Sequence, residues 1–194
     1  MISVLLDSSN TKLTVGLALE EEIIDFVSYE AWQQQSEYIV DELDKLLTKH
    51  KYDKHDIKDI IVAVGPGSYT GVRIAITIAK VIALALSIPV YEVSSLRVLK
   101  DDEKESICLI NARSGRSYFG VYKGNEIIEE DQIKTNEEVL DYINQHKDYI
   151  VMGDVKYLNL PNNESNVCKQ MVNLKKVLKT SPDCLSIKPV YMKD

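Results

Sequence analysis

The chain has 194 residues and a mass of 22.0 kDa, a length that predicts one large domain or two small lobes. Apolar residues make up 45% of the sequence, which excludes intrinsic disorder as its main state. The formal net charge of −7 argues against unaided binding to nucleic acid, whose phosphates favour a basic surface. We find no run of the roughly 18 apolar residues that a membrane span needs, and residues 1–7 do not resemble a secretory signal. We therefore expect a cytoplasmic protein that does not insert into a membrane.

The first half of the chain predicts strands and helices in a mixed order. Residues 2–7, 13–19 and 23–29 are apolar or alternating runs separated by polar turns, which is typical of an antiparallel meander. A helix is predicted next because apolar residues then recur at helical spacing, at Trp32, Ile39, Leu43, Leu46 and Leu47. The pattern continues with a strand at 60–64, a helix from about residue 70 to residue 86, and a strand at 90–93.

The second half of the chain repeats this order. At an offset of 104 residues, Asp7 aligns with Asn111 and Gly16 aligns with Gly120. Strand, turn, strand, turn and strand recur in what we interpret as a conserved register, and a helix near residue 136 and a strand ending at Gly153 follow. We interpret the pattern as an internal duplication.

Mixed sheets flanked by helices predict an α/β fold. Two lobes, each a three-strand meander followed by a helix and a strand, match the plan of the actin-like ATPase (ASKHA) superfamily. We therefore expect a two-lobed actin-like fold with an N-terminal lobe at 1–103 and a smaller, trimmed C-terminal lobe at 104–194. This expectation concerns the fold and carries no chemistry by itself.

A glycine-rich loop at 65–73 joins a buried strand to a helix. Because the first turn of a helix presents unpaired N–H groups, such a loop is a candidate anion site. The candidate phosphate-binding or nucleotide-binding residues are Asp7, Gly65, Gly67, Ser68 and Thr70. The alternative is that the glycines only make a tight turn, and the spacing is not that of a Walker loop.

The helix that follows this loop is apolar on nearly every side. Between Val72 and Leu86 its only polar residues are Arg73, Thr77 and Lys80, which share one stripe. A helix of this kind must be buried on most sides. Its composition fits a helix covered by its own lobe, and it fits equally a surface that packs against a partner.

The sequence lacks motifs for independent catalysis. His50, His55 and His146 have no cysteine or acidic partner at metal-ligand spacing, so we expect no metal site. Two functions remain open from the residues: a partner subunit, and a stand-alone actin-like kinase or ATPase that uses Asp7 and the glycine loop. A peptidase is a third hypothesis, which these residues do not support.

Several segments of the chain resemble the TsaB (YeaZ) family of tRNA-modification proteins. The matching segments are 5–9, 64–74, 93–96, 110–113 and 188–193, and the most specific is the run Gly-Pro-Gly-Ser-Tyr-Thr-Gly-Val-Arg at 65–73. The resemblance implies a non-catalytic subunit that docks on TsaD, which threonylcarbamoylates the N6 of the adenosine next to the tRNA anticodon. In TsaD two histidines bind metal, and Ser95 and Leu99 stand in their places here.

The resemblance also implies partners and an interface. It predicts binding to TsaD, to the ATPase TsaE and to a second copy of the chain, with tRNA reached only through the complex. It predicts no cofactor, and a nucleotide only in a cleft shared with partners. The interface residues that it predicts, on the apolar helix and the helix before it, are Val72, Arg73, Ile76, Thr77, Lys80, Ala83, Leu84, Ile39 and Leu43.

Overall fold

The computed structural model describes residues 1–31, 34–178, 180–181 and 183–192. Trp32 of the first predicted helix and Lys193 of the last matching segment lie outside the described residues. The N-terminal lobe contains strands β1 (Ile2–Asp7), β2 (Lys12–Leu19), β3 (Glu22–Glu30), β4 (Ile57–Ala63) and β5 (Val90–Val93), with helices α1 (Gln35–Lys49) and α2 (Tyr69–Leu86). The second sheet contains β6 (Ser106–Arg113), β7 (Arg116–Lys123), β8 (Glu126–Thr135) and β9 (Ile150–Gly153), with helix α3 (Asn136–Gln145). Helix α4 (Val167–Lys175) follows.

The two sheets share one topology, as the sequence repeat predicts. The first sheet has the order β3-β2-β1-β4-β5, and the second has the order β8-β7-β6-β9. In each sheet the meander strands are antiparallel and the fourth strand runs parallel to the first. The class is α/β with two mixed sheets, and the second is smaller by one strand.

The predicted register of the repeat is wrong by one residue in the first hairpin. Gly16 pairs with Leu5, whereas Gly120 pairs with Cys108 and not with Leu109. The connections differ, since residues 8–11 join β1 to β2 while only 114–115 join β6 to β7, where the pairing is also irregular. A shift of one residue moves a side chain to the other face of a sheet.

The first sheet has a hydrophobic core on each face. Side chains of β1 alternate, so that Leu6 faces α1 and α2 while Leu5 faces α4. Met171 and Leu174 of α4 are fully buried there, and Ile187 is buried on the side of α2. The segment after residue 166 therefore returns to the N-terminal lobe. The predicted assignment of all of 104–194 to the C-terminal lobe is wrong for this segment, because its apolar side chains cover the first sheet.

Helix α2 begins and ends where its sequence dictates. The Oγ of Ser68 accepts a hydrogen bond from the amide of Gly71 at 3.3 Å, which caps the first turn. Ser87 adopts a left-handed conformation with φ of 56° and ends the helix before Pro89. The helix spans 18 residues with a mean hydropathy of 1.6, so by length and composition it could cross a membrane, contrary to the expectation from the sequence. One such helix is weak support for a span, because a core helix of a globular protein passes the same test.

Candidate functional site

Helix α2 buries one face in the N-terminal lobe and exposes the other. Val72, Ile76 and Ala83 are at most 3% exposed and pack against the first sheet. On α1, Ile39 and Leu43 join the same core. The prediction that these five residues form a partner interface is wrong, because the N-terminal lobe itself already covers them.

The exposed face of α2 carries the remaining predicted interface residues and one that the sequence did not single out. Arg73 and Thr77 are exposed, and Leu84 is 52% exposed. Val81, which was not predicted, is 61% exposed. We call Arg73, Thr77, Val81 and Leu84 the α2 stripe. The exposed face of α2 thus carries two branched apolar side chains, Val81 and Leu84, beside the polar Arg73 and Thr77.

The segment 183–192 borders the α2 stripe. The Nζ of Lys80 donates to the carbonyl of Leu185 at 2.9 Å, so the predicted interface residue Lys80 is bound by its own chain. Tyr191 stacks on Tyr69 with ring centroids 5.1 Å apart. The guanidinium of Arg73 donates to the hydroxyl of Tyr69 at 2.5 Å and lies over its ring. These contacts hold the C-terminal segment against the start of α2, at the Arg73 end of the stripe.

The glycine loop is held from both sides by its own chain. A Cβ on Gly65 would lie 2.8 Å from the carbonyl oxygen of Val190, whose amide donates to Val64 at 2.7 Å. A Cβ on Gly67 would lie 2.2 Å from the carbonyl oxygen of Ser9, which accepts from the amide of Ser68 at 2.7 Å. Only glycine fits such close approach of two backbones. Gly65, predicted as a phosphate ligand, is therefore covered by the C-terminal segment.

The structure divides the predicted phosphate-binding residues between two cavities. Gly67, Ser68 and Thr70 line a cleft of about 650 Å³ between the two sheets, which we call the interlobe cleft. Asp7 instead lines a narrow cavity of about 90 Å³. Its Oδ1 accepts from the amide of Ser9 at 2.8 Å, and burial raises the pKa of its carboxyl. The two cavities adjoin, since Asn10, Thr11 and Asp154 line both of them.

Ser95 and Leu99, which stand where the resemblance places the two histidines of TsaD, make structural contacts within this chain. Ser95 is 1% exposed, and its Oγ accepts from the amide of Gly65 at 3.1 Å. The Leu99 side chain packs beneath Gly153, where an added Cβ would lie 3.2 Å from it. Within the described residues, no group of three or more His, Cys, Asp or Glu side chains converges on a point where a metal ion could bind.

Comparison with known proteins identifies the family. The family model described as tRNA N6-adenosine threonylcarbamoyltransferase (TsaD) matches residues 26–178. The tRNA threonylcarbamoyladenosine biosynthesis protein TsaB of Bacillus subtilis is 37% identical over 123 residues, which are 61% of this chain and 53% of that protein. The chain belongs to this family, in its TsaB (YeaZ) branch.

Two further proteins match over more of the chain. The uncharacterized protein MG208 of Mycoplasma genitalium is 30% identical over 183 residues, which are 89% of this chain and 84% of that protein. The solved structure of YeaZ from Pseudomonas aeruginosa superposes with a TM-score of 0.80 and 20% identity over 98% of this chain and 99% of that one. This likeness shows that the chain described here shares the fold of that YeaZ structure.

Proposed function

We propose that this chain is a non-catalytic subunit in the biosynthesis of tRNA threonylcarbamoyladenosine, acting in the cytoplasm. Its proposed partner is TsaD, the transferase that modifies the N6 of the adenosine next to the tRNA anticodon. The name of the Bacillus subtilis relative supports the pathway. The role as a scaffold is proposed here from the surface of the chain.

The α2 stripe is the observation that carries the proposal. Val81 and Leu84 are one turn apart, and each is more than half exposed. They lie on the helix that follows the Gly-Pro-Gly run, the segment most specific for the family. Burying them against another apolar helix would remove this surface from water, which favours association. Arg73 and Thr77 on the same stripe supply polar contacts that can fix the orientation of a partner.

The residues at the histidine positions support a non-catalytic role. A hydroxyl and an aliphatic side chain at Ser95 and Leu99 cannot supply the two imidazoles that the resemblance assigns to TsaD. A subunit without these ligands contributes to the reaction by binding the protein that has them. The ATPase TsaE then joins the pair, and tRNA is bound by the complex rather than by this acidic chain alone.

We expect the same stripe to support self-association when TsaD is absent. An exposed apolar helix face tends to pair with itself in a two-fold dimer. Adding TsaD should then dissociate the dimer, because both partners would compete for Val81 and Leu84.

The experiment that tests this proposal is copurification and titration of the full chain with TsaD from the same organism. Val81→Glu and Leu84→Glu place a carboxylate in the proposed interface, and we expect about tenfold or greater loss of affinity for each. Val72→Glu is unsuitable, because Val72 is 1% exposed and the variant would disrupt the core.

Val177→Glu provides a matched control. Val177 follows α4 and is 49% exposed, so this variant introduces the same charge change at a surface remote from the α2 stripe. Its affinity for TsaD should equal that of the unmodified chain. Undiminished binding of folded Val81→Glu and Leu84→Glu would contradict the proposed interface.

A further inference from the structure

A small cavity lies at the ends of the two sheets that point away from the interlobe cleft. It is enclosed by the turn between β2 and β3, the turn between β7 and β8, the loop before β6, and α4. The described residues that line it are Glu21, Lys100, Asp102, Gly124, Asn125, Val172, Asn173 and Lys176. We call it the Lys100 cavity. Its volume of about 320 Å³ is enough for a small ligand, and no residue of the α2 stripe lines it.

The two turns that meet at this cavity are equivalent in the sequence repeat. Glu21 of the first turn aligns with Asn125 of the second at the offset of 104 residues. The first turn carries a carboxylate, whereas the second carries an uncharged amide. Helix α4, which lies outside the repeat, closes the space between them. The cavity is thus built from both halves of the chain and does not depend on the proposed docking of TsaD.

Lys100 places a buried positive charge at the cavity. It is 2% exposed, and its Nζ donates a hydrogen bond to the Oε1 of Gln170 at 2.7 Å. An ammonium can donate three hydrogen bonds. Burial lowers the pKa of this ammonium, so the fold itself destabilises the positive charge. A negatively charged group in the cavity would stabilise it.

The other charges of the lining are already paired. Glu21 binds Lys176 at 2.7 Å, and Asp102 forms an ion pair with Lys169. Of the described residues that line the cavity, Lys100 is the only charged one without an ion pair. These pairs leave one positive charge without compensation. A ligand group with a single negative charge matches it, whereas a phosphate dianion brings more charge than one ammonium can offset.

Two side-chain amides add neutral hydrogen-bond donors. The Nδ2 of Asn173 donates to the Oδ1 of Asp102 at 3.3 Å, and an amide of this kind has a second N–H. The backbone carbonyl of Asn125 accepts from Arg97 at 2.7 Å, which holds the turn without using the Asn125 side chain. Among the described lining residues, Val172 is the only one with an aliphatic hydrocarbon side chain, so the organic part of a ligand must be short.

We infer that the Lys100 cavity binds a small monocarboxylate, whose oxygens accept hydrogen bonds from the Lys100 ammonium and from the side-chain amides of Asn125 and Asn173. Hydrogen bonds between an ammonium and a carboxylate are among the stronger ones in proteins. A simple short-chain acid and an amino acid share this group. Val172 contacts the short carbon chain in either case.

The test is a nuclear magnetic resonance titration of the isolated, nitrogen-15-labelled full chain at constant ionic strength. The three probes are sodium propionate, L-alanine and sodium chloride. We expect propionate or L-alanine to shift the amide signals of Gly124, Asn125 and Asn173 saturably. Tighter binding of propionate would assign the site to a simple acid, and tighter binding of L-alanine to an amino acid. Equal shifts with chloride would overturn the inference, because any anion would then suffice.

Lys100→Met removes the charge and keeps an unbranched side chain. We expect it to weaken binding by about ten- to a hundred-fold, as for loss of a hydrogen bond to a charged group. Lys104→Met is the matched control, because Lys104 is exposed and does not line the cavity. This control should bind the carboxylate as tightly as the unmodified chain.

Asn173→Ala keeps the test decisive if Lys100→Met does not fold. Asn173 is exposed on α4, and alanine is a strong helix former, so this variant should fold. We expect it to weaken binding several-fold, by about the value of one neutral hydrogen bond. Absence of saturable shifts at high millimolar propionate and L-alanine would overturn the inference. Binding that either Lys100→Met or Asn173→Ala leaves unchanged would also overturn it.

Discussion

Asp7 and Asn111 accept the same kind of local hydrogen bond in the two lobes and differ in charge. Each side chain accepts the amide two residues further on at 2.8 Å, so the hydrogen bond that shapes the turn needs an oxygen but not a carboxylate. Asp7 is 7% exposed, and burial raises the pKa of its carboxyl. An ionised carboxylate at this position therefore lowers the stability of the folded chain.

The variant Asp7→Asn tests this cost. Because the pKa of Asp7 is higher in the folded chain than in the unfolded one, its contribution to stability falls as pH rises through that folded pKa. We expect Asp7→Asn to be at least as stable as the unmodified chain at neutral pH, and to lose this advantage below about pH 4. Urea unfolding at several pH values measures the difference.

Asp101→Asn is a control with the opposite sign. The amides of Glu103 and Lys104 hold the pKa of Asp101 below its usual value, so this carboxylate stabilises the fold at neutral pH and stops doing so as pH falls through its folded pKa. Asp101→Asn should lose stability at neutral pH and recover in acid. Marked destabilisation of Asp7→Asn at neutral pH would show that its charge is required.

At the scale of single elements, the sequence predicts where a helix begins and ends better than it predicts which of its apolar side chains are exposed. Helix α2 was predicted from about residue 70 to residue 86 and spans Tyr69–Leu86, because Ser68 and Ser87 mark its ends. The polar stripe indicates the exposed face, since Arg73 and Thr77 are exposed, but it does not indicate which apolar residues share that face. Val72 and Val81 are the same residue type in one apolar run, and they are 1% and 61% exposed. Apolar periodicity cannot separate such residues when nearly every position is apolar.

The candidate site was only partly predictable for a related reason. Gly67, Ser68 and Thr70 could be named from the glycine loop, since the loop is a local motif. Ser9 and Arg113 are not among the predicted site residues, because they reach the interlobe cleft through turns of two different sheets. The repeat aligns these two residues at the predicted offset of 104, and this alignment was the signal available for finding them.

The segment 183–192 contributes to stability through one buried side chain. Ile187 is 2% exposed in the core beside α2, so Ile187→Ala should lower the free energy of unfolding by about 2–5 kcal/mol. Leu185→Ala is the matched control, because Leu185 is 57% exposed and its bond to Lys80 uses the backbone carbonyl. We expect that control to change stability by about 0.5 kcal/mol or less in denaturant unfolding. Equal losses in the two variants would mean that the segment is not anchored at Ile187.

At the scale of the whole molecule, the chain crosses between lobes more often than its repeat implies. The repeat predicts the strand order of both sheets, since each unit is encoded by its own run of strands and turns. It does not predict where α4 packs, because α4 lies outside the repeated unit. Ser165 donates to the carbonyl of Val98 at 2.9 Å, and Lys175 donates to Asp59 at 2.6 Å, so both ends of this segment are joined to the N-terminal half.

The N-terminal lobe should therefore be unable to fold from residues 1–103 alone. Without α4, the face of the first sheet that carries Leu5, Ile61 and Val93 would be exposed to water, although these side chains are at most 2% exposed in the full chain. We expect fragment 1–103 to lack a cooperative thermal transition. A matched chain that joins 1–103 to 164–192 through a flexible linker restores α4 and should unfold cooperatively. A fragment 1–103 that unfolds as cooperatively as this joined chain would show that α4 is dispensable, since the first sheet would then be stable with one face uncovered.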